Sequence, residues 1–233
     1  MIEHIPQQID RALLYFHSAG TTSEELRPFL SHLVKCLPQT YIWAGDGVIS
    51  HAPLMRQGLF YGEDVKRYWV TFPMQDASSP ESFAGHVEAM GAALSCAGAY
   101  VNALADQVRN RFRLTAKQVI LCGFQHGSCV ALAASMIRTR DPYAVTILFE
   151  PYALETYYLK EELPLPTTTV VCIDNQHIRK WTTEWLHVET DRLFQSYGIA
   201  TQSITVEGGD QHLSLAMIDA AIQIVQNLPV QDG

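Results

Sequence analysis

The sequence has no apolar run near the ~20 residues that a membrane-spanning helix requires. Its first twenty residues, MIEHIPQQIDRALLYFHSAG, lack the basic-then-apolar order of a cleaved leader. Basic residues are the minority: 16 Lys and Arg stand against 24 Asp and Glu, for a net charge of −8 without a Lys/Arg cluster. Such a surface repels phosphate backbones, so nucleic acid is not an expected partner. No GxxxxGK[ST] or GxGxxG loop points to a nucleotide. The five cysteines (Cys36, Cys96, Cys122, Cys129 and Cys172) form no CxxC pair. A disulfide framework or zinc knuckle is therefore not expected, and reduced thiols in a cytoplasmic protein are. His17, His126, His177 and His212 show no HxH, HxxxH or HxxE spacing, with Glu150 and Asp174 the nearest candidate carboxylates. Neither a metal nor another cofactor is expected.

What is present is a core. With 48% hydrophobic and 17% charged residues in 233, the chain can fill one α/β domain. Short apolar runs alternate with longer helical patterns. RALLYFH (11–17), TYIWAG (40–45), RYWVTF (67–72), QVILCGF (118–124), YAVTILFE (143–150), TTTVVCID (167–174) and TQSITVE (201–207) read as strands. Helices are expected over 82–112, 127–138, 183–197 and 213–228. Another follows Thr22, whose pairing with Glu25 reads as a capping box, despite Pro28. This alternation, with strands apolar throughout, predicts a mostly parallel sheet covered by helices on both faces. Ligands of such sheets bind beyond the carboxyl ends of the strands.

The strand ends carry chemistry. A sharp strand-to-helix turn that exposes a side chain needs small residues two places before and after it. LCGFQHGSC (121–129) has that spacing, with Gly123 and Gly127 around Gln125. HSAG (17–20), Glu150, Asp174 and GGDQHLS (208–214) end other strands. In order along the chain, these segments resemble the phospholipase/carboxylesterase family of α/β-hydrolases, which includes acyl-protein thioesterases. HSAG stands where that family has a His-Gly-x-Gly oxyanion loop, and RYWVTF resembles its Trp-Tyr-Asp region. GFQHGS matches its Gly-Phe-Ser-x-Gly-Gly elbow, and GGDQHLS its Gly-x-Gly-His loop.

The resemblance implies a single-domain α/β-hydrolase over residues 1–233. It implies that His212 is the general base and that the N–H groups of Ala19 and His126 form an oxyanion hole, with His17 structural. It also implies a serine where Gln125 stands. An amide nitrogen is a poor nucleophile that a neighbouring imidazole cannot rescue. Losing the nucleophile of a serine hydrolase costs on the order of 10⁶ in turnover. The family aspartate falls at Gln176 or His177, leaving Glu150 and Asp174 as alternatives. Glu150 pairs with His212 or merely anchors a loop, and Asp174 is a triad acid or a turn-former in DNQH.

Two expectations remain open. One is a protein that binds a ligand or partner without hydrolysing it. The other is a working ester or thioester hydrolase in which His212, with Glu150 or Asp174, activates water or a displaced nucleophile, Ser128 or Cys129. Lid-like insertions at 45–66 and 151–166 carry Leu54, Met55, Leu59, Phe60, Tyr61, Tyr152, Tyr157 and Tyr158. They suit a small acyl or aromatic ligand, or a protein surface.

Overall fold

A computed structural model of the chain describes residues 1–18, 20–47, 49–50, 67–69, 80–151, 164, 166–176, 194–195, 198–207 and 213–229, with backbone only at 49–50, 67–68 and 80–90. The strands are β1 (Ile2–His4), β2 (Arg11–Phe16), β3 (Thr40–Gly45), β4 (Ile49–Ser50), β5 (Arg67–Tyr68), β6 (Val119–Phe124), β7 (Val145–Phe149), β8 (Val170–Asn175) and β9 (Thr201–Val206). Seven of them form one sheet in the order β1–β3–β2–β6–β7–β8–β9. All neighbours in it are parallel except β1, which pairs antiparallel with β3 at the edge.

The strand side chains divide strictly by parity, as a pleated strand requires. Ala12, Leu14 and Phe16 join one buried cluster with Leu121, Leu148 and Cys172. Leu13 and Tyr15 join the opposite one with Ile120, Ile147 and Ile173. Helices α2 (Pro80–Phe112) and α3 (His126–Ile137) cover the first face. Helices α1 (Leu30–Cys36) and α4 (Leu215–Asn227) cover the second. The continuous apolar strands thus reflect burial on both sides. No helix among the described residues is long and apolar enough to cross a membrane.

The local structure departs from expectation at four points. β1 was not legible, because three residues of mixed polarity carry no period. Within RYWVTF, Arg67–Tyr68 form β5, paired antiparallel with β4 apart from the main sheet, and 70–72 lie outside the described residues. The helix after Thr22 begins as a 3-10 segment (Ser23–Phe29) and becomes α-helical only at Leu30. Pro28 supplies no N–H and its ring obstructs an i→i−4 turn, so the wider helix starts after it. Thr22 caps Glu24 N–H at 3.3 Å. Glu25 does not close a capping box: its Oε2 accepts from Thr21 Oγ1 at 3.0 Å and Ser18 N–H at 3.2 Å, fastening the loop after β2. Of the helix expected over 183–197, only 194–195 lie within the described residues.

Candidate functional site

The register of the central strands sets the site. Phe124 of β6, Phe149 of β7 and Ile173 of β8 lie side by side. The residues that follow them, Gln125, Glu150 and Asp174, therefore emerge at one level on three neighbouring strands. The ladder continues one step past the strands: Gln125 N–H donates to Phe149 O at 2.8 Å and Glu150 N–H to Ile173 O at 3.0 Å.

Gln125 forms the tip of a sharp turn into α3, at φ 49° and ψ −111°. A side-chain-bearing residue there carries strain of order 1–3 kcal/mol. Both flanking glycines are required. A Cβ on Gly123 would stand 2.2 Å from Gly127 O, and one on Gly127 would stand 2.0 Å from Phe16 O. The end of β2, the turn and the start of α3 thus touch backbone to backbone. The strain is testable through a pair of variants, since Gln125→Ala and Gln125→Gly lose the same side-chain contacts. Glycine ordinarily costs about 0.5–1 kcal/mol relative to alanine. Here the order reverses, with the glycine variant more stable by about 1 kcal/mol in urea denaturation. An alanine variant that is the more stable one would show the turn to be unstrained.

Close packing brings the loop after β2 onto the turn. Ser18 Oγ donates to Gln125 Oε1 at 2.7 Å, so the carboxamide bridges the elbow to the HSAG loop. Nothing in the sequence of the HSAG loop marks Ser18 for this contact. His17 is fully buried and locked: Gly47 N–H donates to its Nε2 at 2.8 Å, and its Nδ1 lies 2.6 Å from Ser18 O. Those partners fix the neutral tautomer with the proton on Nδ1, and burial holds its pKa below the ordinary histidine value. Trp69 Nε1–H donates to His17 O at 3.1 Å and its ring packs beside the imidazole. His17 is a scaffold residue.

The remaining side chains sort by burial. His126 opens α3 and is buried. Desolvation, with His17 nearby, lowers its pKa to about 3, so it is neutral at any ordinary pH. Ser128 is fully buried, with its hydroxyl 2.6 Å from Gly123 O and 3.0 Å from Phe149 O. It stitches α3 to β6 and β7 and faces away from the turn's tip. Cys129, on α3, is buried in the core cluster on the face that α2 and α3 cover.

Glu150 is the electrostatic anomaly. It is 1% exposed, has a positive φ of 48° and ends β7 beside Asp174, itself 4% exposed. Neither Glu150 carboxyl oxygen has a well-aligned hydrogen-bond partner among the described residues. Burial above all, and then the Asp174 charge, push its pKa up to about 8, against smaller opposing effects from the Gln125 amide and the Asn175 backbone. Glu150 is therefore mostly protonated at neutral pH. Asp174 lies within β8 rather than in the turn that DNQH suggests. Asn175, fully buried beside it, went unassigned in the sequence because a strand-end Asn resembles a turn residue. Ala19, His177, His212 and most of 45–66 and 151–166 lie outside the described residues. Among the described residues no group of three or more His, Cys, Asp or Glu is placed to hold a metal ion.

No protein-family model matches the chain, and no curated protein matches it in sequence. Solved structures do. Esterase PE8 aligns with a TM-score of 0.67 over 98% of this chain and 97% of its own, at 15% identity. A Bacillus cereus carboxylesterase aligns at 0.59 over 97% and 92%, at 10% identity. Arabidopsis thaliana SOBER1 aligns at 0.59 over 93% and 97%, at 12% identity. The chain has an α/β-hydrolase fold. In this α/β-hydrolase fold the elbow is structurally complete, with its glycines, its strained tip and its helix, and it presents a carboxamide.

Proposed function

We propose that the chain is an α/β-hydrolase scaffold that binds a small acyl or aromatic ligand at the elbow without hydrolysing it. One observation carries this: Gln125 occupies the strained tip, with its carboxamide held by Ser18 at 2.7 Å. A carboxamide there donates and accepts hydrogen bonds but does not attack a carbonyl. The two neighbouring alternatives point elsewhere, since Ser128 is bonded to the β6 and β7 backbone and Cys129 is buried in the core. Glu150, neutral at pH 7, offers no negative charge to support an imidazolium.

The same Glu150 favours a second reading. A carboxyl group with a pKa of about 8 at the strand ends is poised for proton transfer. It would serve an ester or thioester hydrolase in which Glu150 and His212 activate water.

The test is hydrolysis of short- and long-chain p-nitrophenyl esters and acyl thioesters by wild type, Gln125→Ser, Gln125→Ser/His212→Ala and His212→Ala. The expected result is a silent wild type that fluorophosphonate does not label. Gln125→Ser then gains both labelling and turnover, and the added His212→Ala removes the turnover. Wild-type turnover that His212→Ala or Glu150→Gln abolishes would overturn the non-hydrolysing reading in favour of the second.

A further inference from the structure

On the far side of the molecule from Gln125, helices α1 and α4 bring together a thiol, an imidazole and a carboxylate. His32 and Cys36 stand four residues apart on α1 and so share a face. Asp219 arrives from α4. Its Oδ1 lies 2.6 Å from His32 Nε2, and Cys36 Sγ lies 4.0 Å from both ring nitrogens. A carboxylate accepts, so Nε2 carries a proton and Nδ1 is left with its lone pair for the thiol. Gln226 Nε2–H donates to Cys36 O at 3.0 Å, fastening the end of α1 to α4.

Cys36 also lines an open groove of about 190 Å³ with Asp10, Arg11, Gln39, Thr40 and Gln226. The groove lies where β2 and β3 begin, the opposite end of the sheet from the elbow. A half-buried thiol, an imidazole 4.0 Å from it, a carboxylate orienting that imidazole and a space for a reactant are the parts of an activated cysteine.

We propose that Cys36 is a thiol–disulfide exchange site for low-molecular-weight disulfides, with His32 as its base and Asp219 as a positioning residue. Cys36 Sγ attacks one sulfur of R–S–S–R while its proton passes to His32 Nδ1. The Cys36–S–S–R bond forms as the original S–S bond breaks. The other half leaves as a thiolate and takes the proton from His32 as RSH, so Cys36 is oxidised and the departing half reduced. The site is independent of the ligand reading at Gln125.

Cys96 provides an internal reference, because it is exposed where Cys36 is half-buried. The full-length chain is treated with oxidised glutathione and with 2,2′-dithiodipyridine, and peptide mass mapping gives the rate at each cysteine. The expected result is that Cys36 reacts about tenfold faster than Cys96. His32→Ala and His32→Gln slow Cys36 by about a hundredfold, the low end of what a general base supplies, and leave Cys96 unchanged. Asp219→Asn slows Cys36 by a smaller factor. If His32→Ala unfolds the chain, the buried Cys122, Cys129 and Cys172 label at once, and His32→Gln decides. Cys36 reacting no faster than Cys96, or keeping its rate in a folded His32 variant, would overturn the proposal.

Discussion

Gly127→Ala is expected to destabilise the chain by about 3 kcal/mol or more, beyond the middle of the range for overpacked sites. The new Cβ would sit 2.0 Å from Phe16 O and 2.7 Å from His17 O. Neither atom can yield cheaply, because Phe16 is paired on both sides, with Gly45 of β3 and Gly123 of β6. For a chain of this length each kcal/mol moves the midpoint by about 2–4 °C, so a fall in Tm of about 6–12 °C is expected. The methyl group would also push the start of α3 off the end of β2, parting Gln125 from Ser18. Differential scanning calorimetry checks the prediction. A Tm within a degree or two of wild type would mean that the elbow is looser than its geometry indicates.

Glu150→Gln is expected to change how stability depends on pH. The folded-state pKa of about 8 stands above the ordinary value of 4.5. Below 4.5 the carboxyl group is protonated in both the folded and unfolded chains and contributes no pH dependence. Between 4.5 and 8 the unfolded chain loses the proton while the folded chain keeps it, so stability falls as pH rises. By pH 7 the accumulated cost is about 3 kcal/mol, at 1.36 kcal/mol per unit. Glutamine keeps the shape and cannot ionise. The variant should match wild type near pH 4 and exceed it by about 3 kcal/mol at pH 7 in urea denaturation. Identical pH slopes for the two proteins would show that Glu150 is charged in the folded state and has a partner there.

These two positions meet at one place. Gly127 lets the elbow close against β2, and Glu150 holds an uncharged carboxyl one strand away. If the elbow holds a ligand as proposed, a Glu150 that is neutral at pH 7 and ionised a unit or so above it would make that binding pH-sensitive. Gln125, bonded to Ser18 and close to Glu150, is the side chain through which that sensitivity would reach a ligand.

The sequence by itself determined the layers. Apolar runs of five or six residues, alternating with longer periodic stretches, leave few options besides a parallel sheet buried on both faces. β2, β3, β6, β7 and β8 fall where those runs are. It also determined the elbow, because glycines at 123 and 127 are a local requirement of a backbone that folds back on itself. Segments whose conformation is set from outside were not legible. β1 exists because β3 offers it an edge, and the segment after Thr22 is divided by Pro28 and drawn toward the HSAG loop by Glu25.

Only the tertiary structure decided the chemistry at the strand ends. The pKa of Glu150 depends on burial and on Asp174, which is distant in sequence and adjacent in space through the β7–β8 register. The partner of Gln125 is Ser18, 107 residues away. The grouping of His32 and Cys36 with Asp219 spans 187 residues. Dielectric environment, charge coupling and hydrogen bonds between separate elements follow from proximity in space. Residue order encodes such proximity only through the fold.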